Sequence, residues 1–511
     1  NNVMPLSRRS IVFLLVPGRT HILYRPSCAR ARDVFKPRRC LARGVRATEL
    51  TDPSPCTRTL DAPDTADIWV SRMKARVKIF TYGCQMNDLD SLKIQTEFSR
   101  RGFTATGYTR EADVIVINTC SVRQKAYEKA MSNLGRLSAL KRARPSLVIA
   151  VTGCVAQQDR EGLLRRMPHV DLVVGTHQLH LLPDLVQDAL KGARGRVVAE
   201  FSTCIPFMDT IPDTTLSAEP HRAYVTVMQG CDNFCSYCIV PHVRGPEISR
   251  RAESVIGEIR AHASQGVREV FLLGQNVNSY RGGMSFPELL RAIHSIDGIE
   301  RIRFTTSHPK DANDDLVACF RDLPKLCSHI HLPFQSGSDR VLVAMNRHYT
   351  REWYLELIER FREARPDIAF SADVMVGFPG ETEQDFMETM DVIERVRFDV
   401  LYSFKYSVRP MTAAASLADD VPAREKSRRL VVLQARQREI TLENNMRRVG
   451  STYDVLVDGA STRVEGQVKG RTTHNAIVNF TGERSLVGRT VRVTVTRAQQ
   501  NSLTGVLSDA A

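Results

Sequence analysis

The stretch AYVTVMQGCDNFCSYC, residues 223–238, joins a short apolar run to three closely spaced cysteines. The apolar part has the length and composition of a buried β-strand. Cys231, Cys235 and Cys238 follow it at C-x3-C-x2-C spacing. Metal sites closed by protein alone usually have four ligands, so a triplet predicts a metal group with one position left for another ligand.

Two kinds of metal group fit this triplet. Zinc would need a fourth ligand, and His242 lies four residues after Cys238. An iron–sulfur cluster with one open iron is the better match, because zinc motifs usually pair two close ligands with a distant second pair. The spacing favours the cluster and leaves zinc as the alternative.

The chain after Ala223 alternates apolar runs with helical patterns. Further runs are VREVFLLGQNV (267–277), IRFTTSHP (302–309), HIHLPFQSGS (329–338), FSADVMVGFPGE (370–381) and DVLYSFKYSVRP (399–410). Six strands, most of them followed by a helix, predict a partial (β/α)6 barrel over residues 222–447. Chemistry in such barrels lies at the carboxyl ends of the strands, where the cysteine triplet follows the first strand.

A second set of cysteines stands upstream of this barrel. Apolar runs end at Cys84, Cys120 and Cys154, with amphipathic stretches between them. This alternation predicts an N-terminal parallel α/β domain over residues 75–193. Because parallel strands present their carboxyl ends at one edge of a sheet, we expect the three thiols to converge there.

Two segments flank these parts. Residues 194–221 contain several prolines and no clear periodicity, which predicts a linker. Residues 449–511 contain short β-rich runs, which predict a small β-barrel of OB-like character. The modest excess of basic residues there fits contact with an RNA backbone.

Charge and composition separate the first 72 residues from the rest. The net charge is +14, and residues 1–48 hold eleven Lys and Arg against one acid, Asp33. Residues 1–72 are therefore interpreted as a basic extension: an over-extended reading frame ahead of Met73, a mitochondrial presequence, or a basic tail. No run of eighteen apolar residues occurs, which argues against a membrane span. Twelve cysteines in so long a chain point to a reducing compartment and to metal or redox use.

The cysteine triplet on the first barrel strand, with Tyr237 before its last cysteine, resembles the radical S-adenosylmethionine (SAM) superfamily. The resemblance implies that Cys231, Cys235 and Cys238 hold a 4Fe–4S cluster and that SAM chelates the open iron.

A wider resemblance, over about residues 75 to 510, is to the radical SAM methylthiotransferases, and within them to the MiaB-type branch that modifies tRNA. It is carried by YGCQMN (82–87), NTCSVR (118–123), TGCVAQ (152–157), LLGQNVNSY (272–280), RFTTSHP (303–309), LPFQSGSD (332–339), MNRHYT (345–350) and VGFPGE (376–381). It implies a second, auxiliary 4Fe–4S cluster on Cys84, Cys120 and Cys154, and a terminal TRAM-like RNA-binding barrel.

The activity that the resemblance implies is addition of a methylthio group to carbon 2 of N(6)-isopentenyladenosine at tRNA position 37, with two 4Fe–4S clusters and two SAM molecules. The alternatives are the related enzymes for threonylcarbamoyladenosine in tRNA and for a ribosomal protein. A zinc-containing RNA-binding protein is the alternative from another class. The expected partners are tRNA, SAM, a flavodoxin- or ferredoxin-like reducing partner and a sulfur donor. We expect a cytoplasmic monomer that binds no membrane.

Polar residues at the ends of the barrel strands are candidates for holding SAM or substrate, each with an alternative role in a turn or helix cap. They are Gln275, Asn276, Ser307, Gln335 and Asp373. One segment departs from the family pattern Arg-Pro-Gly-Thr-Pro-Ala, because residues 409–414 read RPMTAA. Met411 in place of glycine predicts a local change in this loop.

Overall fold

Residues 75–217, 219–461 and 464–508 are described by a computed structural model. The basic extension that we interpret from residues 1–72 lies outside the described residues. No helix of the described chain is both long enough and apolar enough to cross a membrane.

The N-terminal part is a parallel sheet with helices on its faces. Its strands are β1 (Arg76–Thr81), β2 (Thr104–Ala105), β3 (Val114–Thr119), β4 (Val148–Gly153), β5 (Leu172–Val174) and β6 (Arg196–Val198), in the order β2-β1-β3-β4-β5-β6. Its helices are α1 (Gln85–Arg100), α2 (Gln124–Ala143), α3 (Cys154–Asp159), α4 (Glu161–Arg166) and α5 (Leu182–Leu190). β3 and β4 are buried along their whole length, as central parallel strands covered on both faces are.

The predicted linker is wrong in part. β6 lies within residues 194–221 and pairs with β5, and Ile205, Phe207 and Met208 are buried in the core of the N-terminal sheet. The segment therefore belongs to the N-terminal domain, because it completes that domain's sheet and its core.

The central part contains the predicted partial barrel. Its strands are β7 (Arg222–Thr226), β8 (Met228–Gln229), β9 (Ile248–Ser249), β10 (Glu269–Leu273), β11 (Arg301–Phe304), β12 (His329–His331), β13 (Ala369–Val376) and β14 (Val400–Lys405). Its helices are α6 (Val240–Arg244), α7 (Ala252–Ser264), α8 (Phe286–His294), α9 (Asp314–Asp322), α10 (Asp339–Ala344), α11 (Arg351–Ala364), α12 (Glu383–Val396) and α13 (Ala423–Met446).

Six of these strands run parallel in two three-stranded sheets, β7-β10-β11 and β12-β13-β14. Apolar side chains of the strands pack with those of the surrounding helices in one large core. The predicted (β/α)6 arrangement is confirmed.

The C-terminal part is a closed five-stranded barrel, as predicted. Its strands are β15 (Thr452–Ala460), β16 (Gln467–Thr472), β17 (Ile477–Thr481), β18 (Thr490–Ala498) and β19 (Leu503–Leu507), and β17 and β19 close it as a parallel pair.

This terminal barrel docks against the amino ends of β10 and β11. Arg301 donates hydrogen bonds to the carbonyl oxygens of Asp454 (2.9 Å) and Arg471 (2.7 Å). Arg303 donates to the carbonyl oxygen of Thr472 at 2.6 Å. The carboxyl ends of the barrel strands thus remain available for chemistry.

Candidate active site

The first three cysteines lie where three neighbouring parallel strands end. β1, β3 and β4 are adjacent in the sheet, and Cys84, Cys120 and Cys154 directly follow these strands or lie three residues beyond them. Gly83 lets the chain pass close to Cys120, because a Cβ there would stand 2.8 Å from the Cβ of Cys120. The predicted convergence of the three thiols is what the structure shows.

The thiols of this triplet interact with one another. The pKa of Cys154 falls to about 6, mainly because it is hydrogen-bonded to Cys120, and Arg244 lowers it further. The hydrogen bond to Cys154, together with burial, raises the pKa of Cys120. Burial raises the pKa of Cys84. Cys120 and Cys154 are buried and Cys84 is half-buried, and thiols are the soft sulfur ligands that iron–sulfur clusters use.

The charge beside this triplet comes from the central domain. Arg244, at the end of α6, donates to the Asp90 carboxylate of α1 at 2.8 Å, and both side chains are buried. The Arg244 guanidinium also interacts electrostatically with Cys154 and Cys84. A second arginine, Arg409, approaches from the loop after β14 and donates to the Val122 carbonyl oxygen at 3.0 Å.

The second triplet lies on the loop after β8. The backbone N–H of Gly230 donates to Oε1 of Gln275 at 2.6 Å, and the N–H of Cys231 donates to the carbonyl oxygen of Gly245 at 3.2 Å. Gly230 takes φ +85°, and a Cβ there would stand 1.8 Å from the carbonyl oxygen of Pro246. The loop is therefore closed tightly before its first cysteine.

A buried arginine also faces this second triplet. Nη1 of Arg347 lies 3.4 Å from Sγ of Cys235, and its Nη2 donates to the carbonyl oxygen of Pro333 at 2.8 Å. The guanidinium stands over the ring of Tyr349, 5.3 Å from its centroid. These contacts fix a positive charge beside the thiols.

Burial acts on the two outer thiols of this loop. Burial raises the pKa of Cys231 to about 11 and that of Cys238 to about 12. A ligand thiolate must be deprotonated, so a bound metal group would supply the positive charge that these positions need. The donor set fits an iron–sulfur cluster.

In the part of the chain that the structure describes, no three His, Cys, Asp or Glu side chains form a ready-made site for one metal ion, and His242 does not complete one with the cysteines. Each thiolate of a cluster binds a different iron, so cluster ligands need not surround a single point.

The two triplets are neighbours through α3 and α6. Cys154, Ile239 and Val243 form a small buried cluster, and Ile239 directly follows Cys238 in the chain. On the other side, Cys84 packs with Leu273 at the end of β10. The segment that follows Cys238 in the chain thus packs beside the N-terminal triplet.

The polar residues predicted to hold SAM or substrate differ in their contacts. Gln275 holds the cysteine loop through Gly230. Gln335, at φ +65°, donates its backbone N–H to the carbonyl oxygen of Asp373 at 3.0 Å, so these two residues adjoin. The hydroxyl of Ser307 is buried and has no hydrogen-bond partner among the described residues.

Asn276 uses both ends of its amide group within the strand-end loops. Its Nδ2 donates to Asp311 at 2.7 Å, and its Oδ1 accepts from the backbone N–H of His308 at 3.0 Å. It therefore connects the loops after β10 and β11. This agrees with the turn-residue alternative.

Sequence reasoning missed Arg244, Asp90 and Arg347. Arg244 stands six residues after Cys238, and Arg347 lies in the quoted motif MNRHYT, but neither position carries a spacing signal for a cysteine contact. An arginine on the short helix after a cysteine triplet is the one usable hint for Arg244.

A groove of about 490 Å³ lies between β14, α13 and the terminal barrel. Arg438, Arg448, Arg471 and His474 are among its lining residues, and Tyr402 of β14 lies at its barrel side. The ring of Tyr402 is 5.9 Å from that of His331 on β12. Among the described residues, Arg448, Arg471 and His474 pair with Asp399, Asp458 and Asp367, whereas Arg438 forms no ion pair. Arg438 therefore gives this basic groove a charge that is available to a polyanion.

Comparison with solved structures shows the fold. The radical S-adenosylmethionine methyltransferase TsrM from Kitasatospora setae, with cobalamin and a [4Fe-4S] cluster bound, matches with a TM-score of 0.50 at 13% identity, over 67% of this chain and 77% of that chain. The same enzyme with tryptophan substrate and a SAM analogue bound gives a TM-score of 0.51 at 14% identity, over 67% and 75%.

Family models and curated relatives extend this result. The Radical SAM superfamily model matches residues 225–393, the Uncharacterized protein family UPF0004 model residues 76–175, and the TRAM domain model residues 446–507. The tRNA-2-methylthio-N(6)-dimethylallyladenosine synthase of Geobacter metallireducens is 53% identical over 84% of this chain and 98% of its own length. The enzyme of the same name from Geotalea uraniireducens is 52% identical over 84% and 97%. The chain belongs to the tRNA-2-methylthio-N(6)-dimethylallyladenosine synthase family of radical SAM methylthiotransferases.

Proposed function

We propose that this protein adds a methylthio group to carbon 2 of N(6)-dimethylallyladenosine (isopentenyladenosine) at tRNA position 37. The observation that carries the proposal is the pairing of the two triplets: Cys154 packs on Ile239, the residue after Cys238, in a chain 53% identical to an enzyme of that name. Two thiol triplets facing one region match a reaction that needs both SAM cleavage and a sulfur source.

Each triplet would hold one 4Fe–4S cluster. The ligands would be Cys84, Cys120 and Cys154 for the auxiliary cluster, and Cys231, Cys235 and Cys238 for the radical SAM cluster. When bound, these clusters supply electron transfer to SAM and a binding place for the sulfur that is transferred.

The protein's own residues hold this arrangement in place. Arg347 keeps a positive charge 3.4 Å from Cys235, and Gln275 fixes the turn at Gly230 before the cysteine loop. A preorganised charge of this kind stabilises the anionic thiolates without reorganisation during the reaction. Gln275, Ser307, Gln335 and Asp373 line the strand ends where SAM and the adenosine would meet.

tRNA would lie along the basic groove and the terminal barrel. Phosphates would meet Arg438 and Arg471, and the adenosine would approach the barrel past Tyr402. An aromatic side chain at this position provides a face on which an unstacked base can stack. Tyr402 is half exposed, which leaves its ring accessible.

The remaining partners follow from the balance of the reaction. Replacing the hydrogen on carbon 2 by a methylthio group consumes two SAM molecules and requires sulfur and electrons. A flavodoxin- or ferredoxin-like protein would supply the electrons, and a separate donor would supply the sulfur. We propose that the enzyme works as a cytoplasmic monomer.

The test is mass spectrometry of nucleosides in tRNA from cells that lack the gene. We expect the methylthio form of isopentenyladenosine to disappear and isopentenyladenosine to accumulate. A plasmid copy carrying Cys154→Ala should fail to restore the methylthio form. Cys319→Ala is the matched control, because Cys319 is buried on α9 away from both triplets and should restore it.

An unchanged level of the methylthio form in the deletion strain would refute the proposal. Loss of the methylthio form of threonylcarbamoyladenosine instead would assign the protein to the other tRNA substrate.

A further inference from the structure

Arg244 carries a hydrogen-bond donor that no described residue satisfies. The residue is 3% exposed, and its Nη2 donates to Asp90 at 2.8 Å, but Nη1 has no hydrogen-bond partner among the described residues. A buried donor of a charged group is costly to leave unpaired. The unpaired Nη1–H therefore marks a place for an acceptor.

The acceptor must lie at the auxiliary triplet. The Arg244 guanidinium interacts electrostatically with Cys154 and Cys84, and a small cluster of Cys154 with Ile239 and Val243 brings the end of α6 against Cys154. The Asp90 carboxylate already accepts a hydrogen bond from Nη2 of Arg244.

The backbone around Arg244 is held on the N-terminal domain. Nε2 of His177 lies 2.7 Å from the Arg244 carbonyl oxygen, and the hydroxyl of Thr176 donates to the Val243 carbonyl oxygen at 2.8 Å. Since α6 begins two residues after Cys238, these bonds connect one cysteine set to the other. Both the side chain and the backbone of Arg244 are thus bonded to the N-terminal domain.

We propose that Arg244 is a positioning residue whose free Nη1–H donates to the anionic, sulfur-rich group held by Cys84, Cys120 and Cys154. The Asp90–Arg244 pair then sets how readily that group accepts an electron. This inference rests on the cluster assignment made under the proposed function. It goes beyond that assignment, because it gives the radical SAM domain control over the auxiliary site.

The charges of Arg244 and Asp90 predict the direction in which each substitution shifts the reduction potential of the cluster. Reduction adds negative charge to a cluster, so a nearby positive charge raises its reduction potential and a nearby negative charge lowers it. Arg244→Gln removes the positive charge and should make the potential more negative. Asp90→Asn removes the negative charge and should make it more positive. The double variant removes both and should return close to the starting value.

The experiment uses the full chain with Cys231, Cys235 and Cys238 changed to Ala, so that only the auxiliary cluster is present. Iron content is measured first, and about four irons per chain are expected. The midpoint potential is then measured by electron paramagnetic resonance during a redox titration. Arg250→Gln is the matched control, because Arg250 is equally buried but pairs with Asp209 and Glu258 instead.

Loading of iron with shifts of opposite sign in Arg244→Gln and Asp90→Asn supports the proposal. If Arg244→Gln fails to fold, Asp90→Asn and the double variant still decide it, since both retain a polar pair at this position. Equal potentials in all variants that hold iron would overturn the inference and leave the proposed function intact. A parent protein that binds no iron would overturn the cluster assignment and this inference together.

Discussion

Nη1 of Arg347 lies 3.4 Å from Sγ of Cys235, and both side chains are buried. A second bond to the Pro333 carbonyl oxygen and the ring of Tyr349 leave the guanidinium little freedom. The protein thus places an arginine beside each cysteine triplet, Arg244 at the first and Arg347 at the second.

Arg347→Gln should slow the cleavage of SAM. Loss of a hydrogen bond to a charged group costs about 1.5–3 kcal/mol, which corresponds to at least about a tenfold lower rate if it is lost in the rate-limiting reduction. Arg347→Lys should lose less, because it keeps the charge. The measurement is formation of 5′-deoxyadenosine with a chemical reductant, with iron content determined in parallel.

Arg395→Gln provides the control for Arg347. Arg395 lies on α12 and forms a surface ion pair with Glu352 at 3.7 Å, so its loss should leave the rate unchanged. Equal rates of 5′-deoxyadenosine formation for Arg347→Gln and wild type at equal iron content would show that the contact with Cys235 does not affect the cleavage of SAM.

Glu269 holds two arginines at the amino end of the barrel. Its carboxylate accepts from Arg222 at 2.5 Å and from Arg303 at 2.8 Å, and all three side chains are buried. Glu269→Gln leaves the buried Arg303 guanidinium without its counter-charge, whereas Arg222 keeps its ion pairs with Asp458 and Glu219. The loss at Arg303 should lower the free energy of unfolding by about 3–5 kcal/mol. The measurement is urea unfolding followed by tryptophan fluorescence and circular dichroism.

Glu300→Gln is the matched substitution for Glu269. Glu300 pairs with Arg268 at 2.5 Å, but both side chains are exposed, so its loss should cost less than about 1 kcal/mol. Similar losses in the two variants would contradict the importance of burial at Glu269.

The Glu269 carboxylate also predicts that the free energy of unfolding depends on pH. Burial alone would raise the pKa of Glu269, but Arg303 and Arg222 outweigh burial and lower it to about 2. A depressed pKa means that the stabilisation is complete above the unfolded-state pKa of about 4.3 and is lost as the pH falls towards 2. The stability difference between wild type and Glu269→Gln should be constant above about pH 5 and shrink below it.

A stability difference that stays constant down to pH 3 would contradict this assignment.

The sequence could predict the two cysteine sets because their signal is local. A cysteine directly after an apolar run is visible in one line of sequence, and parallel strands bring such positions to one edge. It could not predict the arginine contacts, because Arg244 and Asp90 are 154 residues apart in the chain, and Arg347 and Cys235 are 112 apart. Contacts of that kind depend on how segments that are distant in the chain pack together, between two domains for Arg244 and within one domain for Arg347.

The linker prediction failed for a different reason. β6 has three residues and no fully buried position, so its apolar pattern is too weak to identify a strand. Phe207 and Met208 are buried because they pack in the core of the N-terminal domain, and the local sequence does not show this packing. Asn276 shows the same limit at the site, since a polar residue at a strand end can serve the loops and not a ligand.

Met411 occupies a backbone position that favours glycine. Its φ is +66°, in the left-handed region, where the related pattern has glycine. Met411→Gly should therefore raise the stability by about 1 kcal/mol, because the side chain is half exposed and makes up little of the core. The measurement is the melting temperature.

Met387→Gly gives the contrasting case for Met411. Met387 is an exposed methionine within α12, where glycine costs about 1 kcal/mol relative to a helix-forming residue. The two changes should therefore shift the melting temperature in opposite directions. A decrease in both would show that the loop at residues 409–414 needs its methionine.

The basic groove predicts how tRNA affinity responds to charge. Arg438 lines the groove, is exposed on α13 and forms no ion pair with any described residue, so its charge is available to a phosphate. Arg438→Glu should weaken binding of tRNA that carries isopentenyladenosine and reduce the slope of log affinity against log salt by about one. Arg260→Glu makes the same charge change on α7, outside the groove, and should alter neither quantity by as much. Equal losses in the two variants would mean that only net charge matters, and the groove would then not be the path of the RNA.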